Sequence, residues 1–203
     1  MRTVLLKRIF LGCLLILGLS SPGHANDIQI SLFAGDNLVD AAVGARSPLA
    51  MADLIYGSGF SYRKDGDMKY SLGEAYLGVG NNFTPGWQFD AGFKGIYGQA
   101  EEGPINDGTV GGVGFFLNSN FSFVDWLVPL PISLRASGTY IPEVMAFTDL
   151  KEMIVLRIGI GFHIFDAAIL EAGYRYTQMD MEDAPEDWTL KDDAVYFGLG
   201  LQF

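Results

Sequence analysis

The chain has 203 residues, 49% of them hydrophobic, and 24 acidic against 13 basic side chains give a formal net charge of −11. Such acidity opposes nucleic-acid binding, because neutralising phosphates requires a basic surface. A single cysteine, Cys13, excludes a disulfide within the chain.

Residues 1–25 read as an export signal. Arg2, Lys7 and Arg8 precede an apolar run from Ile9 to Leu19, followed by Pro22 and a small-x-small end at Gly23, His24 and Ala25. The run is shorter than the ~20 apolar residues of a spanning helix, so cleavage after Ala25 is expected. Cys13 lies inside the apolar run, with Leu14, Leu15 and Ile16 still to come, which argues against a lipidated cysteine. Removing this segment, which holds three basic and no acidic residues, leaves 178 residues with a net charge of −14 and no cysteine. That is a single-domain length.

From residue 27 onward no stretch is long and apolar enough for a spanning helix, yet the chain stays rich in apolar residues. Spanning strands reconcile the two. Alternation and turn residues predict strands at roughly 27 to 34, 38 to 46, 50 to 63, 69 to 80, 87 to 98, 109 to 123, 132 to 141, 153 to 165, 168 to 178 and 194 to 203. Five of them carry one apolar face, for example Ala75, Leu77 and Val79, or Ile154, Leu156, Ile158, Ile160, Phe162 and Ile164. The opposite faces carry Glu74; Asp90 and Lys94; Arg135; Arg157 and His163; and Glu171 and Arg175. This phase, apolar out and charged in, is that of a closed barrel in lipid. The last strand shows it most plainly, since Val195, Phe197, Leu199, Leu201 and Phe203 alternate with Tyr196, Gly198, Gly200 and Gln202. The 26 glycines are spread through the strands, which leaves room for large side chains inside a small barrel. The run Gly108 to Gly114 leads into no helical pattern, so it reads as barrel wall instead of a phosphate loop.

The connections alternate in character. Those near 47–48, 82–86, 124–131 and 166–167 are compact; those at 35–37, 64–67, 100–107, 142–152 and 179–193 are acidic and mostly longer. Short periplasmic turns and longer outer loops are the barrel norm, so the acidic set, which includes Asp180, Asp192 and Asp193, is expected outside the cell. Ten strands satisfy the even-number rule; eight is the alternative, because residues 27–46 are thinly apolar.

The inward charges balance closely. Arg46, Arg63, Lys94, Arg135, Arg157 and Arg175 can meet Asp40, Asp53, Glu74, Asp90 and Glu171 across a lumen narrow enough for side chains to fill. Glu74 and Lys94 are equidistant from residue 84, so a simple hairpin sets them directly opposite each other. His163, the one histidine left after signal removal, is expected to form a structural ion pair with Glu171, since no nucleophile completes a triad nearby. The acidic stretch 180–193 lacks the glycine of an EF-hand loop and reads as a solvated loop, with no metal site.

Three stretches carry a family resemblance: Leu170-Glu171-Ala172-Gly173-Tyr174-Arg175-Tyr176, then Asp193-Ala194-Val195 leading into Tyr196 to Phe203, and Ser137-Gly138-Thr139-Tyr140-Ile141-Pro142-Glu143-Val144. Together they resemble the YfaZ family of outer-membrane proteins of Gram-negative bacteria. The acidic insertion at residues 181–188 departs from that pattern. The resemblance implies a small outer-membrane barrel and supplies no catalytic residue or cofactor. The expectation is therefore a monomeric, non-enzymatic barrel with a filled polar lumen, in contact with outer-membrane lipid, lipopolysaccharide and the barrel-assembly machinery. A narrow ion-conducting or small-solute pore is the first alternative, and a lipid hydrolase the second.

Overall fold

Period-two alternation becomes pleated wall in the computed structural model, which describes residues 27–124, 130–165, 167–182 and 187–203. The expected export signal lies outside the described residues. One antiparallel sheet contains β1 (Asp27–Gly35), β2 (Leu38–Pro48), β3 (Asp53–Asp65), β4 (Met68–Thr84), β5 (Trp87–Glu102), β6 (Asn106–Ser122), β7 (Ile132–Ile141), β8 (Ala146–Thr148), β9 (Leu150–Phe165), β10 (Ala168–Met181) and β11 (Trp188–Gln202). β7 and β8 both pair with β6, and a single 3-10 turn, Glu143–Met145, separates them. They form one interrupted stave, so the barrel has ten.

The sheet closes where β1 meets β11. Leu32 faces Leu199 and Ala34 faces Phe197, while Ile28 and Phe203 exchange backbone hydrogen bonds of 2.9 Å in both directions. This overturns the eight-stranded alternative. Residues 27–46 are thinly apolar because only their outward side chains, such as Ile30, Leu32 and Val39, meet lipid; Asp40 and Arg46 point inward.

The outer surface carries an apolar band with two aromatic girdles. Near the end that holds Asp27 and Phe203 stand Phe83, Trp87, Phe165 and Phe203; towards the far end stand Tyr97, Tyr140 and Tyr174, all exposed. From Trp87 to Tyr97 is ten residues, and ~3.3 Å per residue on a strand tilted ~40° gives a rise of ~25 Å, the height of a barrel's hydrocarbon band.

Beyond that band the strands continue and their polarity reverses. On β10 and β11, Thr177, Met179, Met181, Trp188, Leu190 and Asp192 are buried inside, whereas Gln178, Asp180, Thr189, Lys191 and Asp193 face out. The segment 179–193, expected as a loop, is thus mostly strand, with Met181 paired to Trp188. The reversal is what hid it: above the lipid, water wets the outside and apolar groups turn in. Three far-end connections also shrink to tight turns, with positive φ at Asn37 (64°), Gly66 (56°) and Gly103 (74°), a region that asparagine and glycine enter most readily. Among the described residues, 142–149 remain a longer connection, crossed by the short pairing of β8 with β6.

The lumen is consequently of two kinds. Its far half is an apolar core in which Tyr70, Ala100, Val110, Ile141, Met153, Met179 and Leu190 are fully or almost fully enclosed. The polar filling expected throughout is concentrated in the half nearer Asp27 and Phe203 and the layer between, with Arg63, Thr177 and Asp192 enclosed in the far half as well.

Candidate functional site

The charged layer starts from alternation: β2, β4, β5, β7, β9 and β10 each aim ionisable side chains inward, and closure brings them within reach. Arg175 is 2% exposed and lies across the lumen, donating to Asp40 at 2.7 and 3.0 Å and to Ser61 Oγ at 2.6 Å. Arg157 reaches the same carboxylate at 3.1 Å. Lys94 donates to Glu74 at 3.1 Å, and Arg135 donates to Glu171 at 3.0 Å. The Tyr196 hydroxyl donates to the other oxygen of Glu171 at 2.9 Å. Arg46 bridges Asp53, at 2.8 Å, and Asp90. Enclosed charges of this kind are tolerated because each has a partner; removing one would strand the other.

Glycines make the layer possible. A Cβ on Gly173 would stand 2.5 Å from the Tyr196 ring, and one on Gly57 would stand 2.5 Å from the Tyr76 hydroxyl. Any larger residue at either position would evict an aromatic from the lumen.

Between this layer and the terminal end lies a cavity of about 250 Å³. Gln29, Gln88, Asn118, Asn120, Ser137 and Gln202 supply its polar wall, and Phe33, Tyr76 and Tyr196 its aromatic one. Every guanidinium on the wall is already paired: Arg46 with Asp53 and Asp90, Arg135 with Glu171, and Arg157 with Asp40.

The eight residues expected in the lumen network lie on inward positions, but several partners differ from expectation. Lys94 faces Tyr76, and Glu74 faces Ile96, because an irregularity between Asn82 and Thr84 shifts the register and the turn falls at 84–87. The ion pair forms on the diagonal. Glu171 is held by Arg135 and Tyr196, while His163 sits opposite Ile169 beside the turn at the terminal end. Asp192, read as an outer-loop acid, is 4% exposed inside the barrel, 3.1 Å from Arg63 and accepting from the Tyr70 hydroxyl at 2.9 Å. Its neighbours Leu190 and Ala194 are also inward, and that alternation was the available signal. Val195, Phe197, Leu199, Leu201 and Phe203 stand on the outward face of β11, paired in register with β1 and β10 up to Leu201. At the far rim, outside the apolar band, the hydrogen bond to Asp187 raises the Lys151 pKa above its ordinary value. Among the described residues, no group of three His, Cys, Asp or Glu side chains is placed to hold a metal ion.

A family model described as YfaZ precursor matches residues 6–203. Comparison with curated proteins gives no match. Among solved structures, the chain is similar to the outer-membrane expressed OmpT of Vibrio cholerae, at 14% identity and a TM-score of 0.40, over 86% of this chain and 64% of that one. It is also similar to the translocator domain of the autotransporter NalP from Neisseria meningitidis, at 12% identity and a TM-score of 0.37, over 97% and 95% of the two chains. Neisserial surface protein A matches at 9% identity with a TM-score of 0.36, covering 88% of this chain and 94% of its own. The chain spans less than two thirds of the length of OmpT.

Proposed function

The chain belongs to the YfaZ precursor family, and we propose that this outer-membrane β-barrel acts as a closed structural element of the envelope, without conduction or catalysis. One observation carries the reading: the far half of the lumen is packed with apolar side chains, eight of them enclosed to 1% exposure or less. The enclosed polar groups beside this plug are already engaged, Asp192 by Arg63 and Tyr70 and Thr177 by Arg175, so a desolvated ion there meets no free partner.

In the orientation we propose, the termini and the cavity face the periplasm, and the polar, acidic strand extensions stand in the lipopolysaccharide layer. Exposed carboxylates at that rim suit loose bridging by divalent cations to lipid phosphates. The outward aromatic at Phe203, on the closing strand, is the natural handle for the barrel-assembly machinery. A monomer suffices, since the closed sheet leaves no free edge.

Support for a non-catalytic role comes from the carboxylates. Glu171, the acid nearest a triad-like arrangement, is already engaged by Arg135 and Tyr196. The cavity of about 250 Å³ favours a pore as the second reading, and solute flux separates the two. Liposomes carrying the folded barrel should swell in arabinose or glycine no faster than protein-free liposomes. Swelling that scales with protein content would overturn the closed-barrel reading in favour of the pore.

A further inference from the structure

We propose that the cavity at the terminal end is a binding site for a neutral polyhydroxylated solute of about monosaccharide size. The first observation is a pair of unmet groups. Asn120 and Arg135 face each other across β6 and β7, and Asn120 Oδ1 and Arg135 Nε are both buried without a hydrogen-bond partner. One is an acceptor and the other a donor. A hydroxyl both donates and accepts, so one ligand hydroxyl, admitted by a small shift of these two side chains on the cavity wall, serves both. Buried polar atoms without partners are rare enough in folded proteins to call for an explanation, and an absent ligand or water is among the standard ones.

The charge of the wall selects a neutral ligand. Three guanidiniums, Arg46, Arg135 and Arg157, and three carboxylates, Asp27, Asp90 and Glu171, line the cavity, so the formal charges cancel and no excess charge invites a counter-ion. What remains is hydrogen-bonding capacity without net charge: the amides of Gln29, Gln88, Asn118 and Gln202, and the hydroxyl of Ser137. Phe33 and Tyr196, packed edge to face at 5.1 Å, give the same cavity an aromatic wall for the C–H face of a sugar ring. Size agrees. At ~30 Å³ per water, about 250 Å³ holds roughly eight waters, below the ~300 Å³ at which drug-sized pockets begin.

This goes beyond the closed-barrel reading, and the two fail separately: flux reports the plug, whereas equilibrium binding reports the cavity. The folded barrel, purified from outer membranes, is titrated by NMR with glucose and sorbitol, and in parallel with glycine and acetate. Saturable shifts with the polyols are expected, along with magnetisation transfer from ligand protons to the rings of Phe33 and Tyr196. Asn120→Leu should weaken polyol binding roughly tenfold, as loss of one buried partner implies. Ser137→Phe should abolish it by filling the space. If neither variant folds, the ring contacts in the unaltered barrel decide the matter. Absence of saturable polyol binding, which leaves water as the occupant, would overturn the proposal. So would tighter binding of glycine or acetate, or ligand contacts on the outer surface only.

Discussion

Glu74 and Lys94 show what a sequence conveys at the scale of a residue. Their inward phase follows from alternation alone, but the partner geometry depends on one irregularity between Asn82 and Thr84 that slides Lys94 opposite Tyr76. The pair survives because long side chains span the diagonal. Glu74→Gln and Lys94→Met should each destabilise the barrel more than the double variant does, with a coupling of about 1 kcal/mol in urea unfolding. Additive effects would show that the two charges are independent. Asp192 makes a stronger demand, since its carboxylate faces an Arg63 guanidinium only 4% exposed. Asp192→Asn should cost about 3 kcal/mol, the penalty for breaking an enclosed pair, whereas Asp193→Asn on the outward face should cost less than about 0.5 kcal/mol. Equal costs in the same unfolding assay would return Asp192 to the surface. Asp192 was illegible because its acidic neighbours masked the alternation of Leu190, Asp192 and Ala194.

Strands were legible wherever lipid enforced the pattern. All ten staves fall where alternation placed them, and β11 closes on β1 with Phe203 and Ile28 in register. Strand ends were the weak point, because outside the hydrocarbon band the outward face becomes polar and the inward face apolar, as in a water-soluble sheet. A charge-rich segment such as 188–193 then looks like a loop, although it is paired residue by residue with β10. Closure makes the last strand sensitive. Deletion of Phe203 removes its pair of hydrogen bonds to Ile28 and should lower the yield of heat-modifiable barrel in outer-membrane fractions; an unchanged yield would remove Phe203 from assembly. The proposed orientation has its own check. Epitope tags in the turn at 103–105 should be reached by antibody on intact cells, and tags at 84–87 should be reached only after permeabilisation, with the opposite pattern inverting the barrel.

For the molecule as a whole, balanced inward charge pointed to a lumen filled by side chains but did not reveal how the filling is divided. The ionic layer fixes the cross-section in its middle, with Arg175 tied to Asp40 and Ser61. The apolar plug above it, built around Tyr70, Met153, Met179 and Leu190, comes from residues whose inward orientation depends on strand extension beyond the lipid. The cavity below was not foreseeable, since its wall is assembled from residues far apart in the chain, Gln29, Gln88, Asn118 and Gln202 among them, that meet only on closure. Whether the plug seals the lumen is read out by single-channel recording of the unaltered barrel in planar bilayers. A sealed lumen gives a flat baseline across the voltage range; reproducible conductance steps would mean an open one.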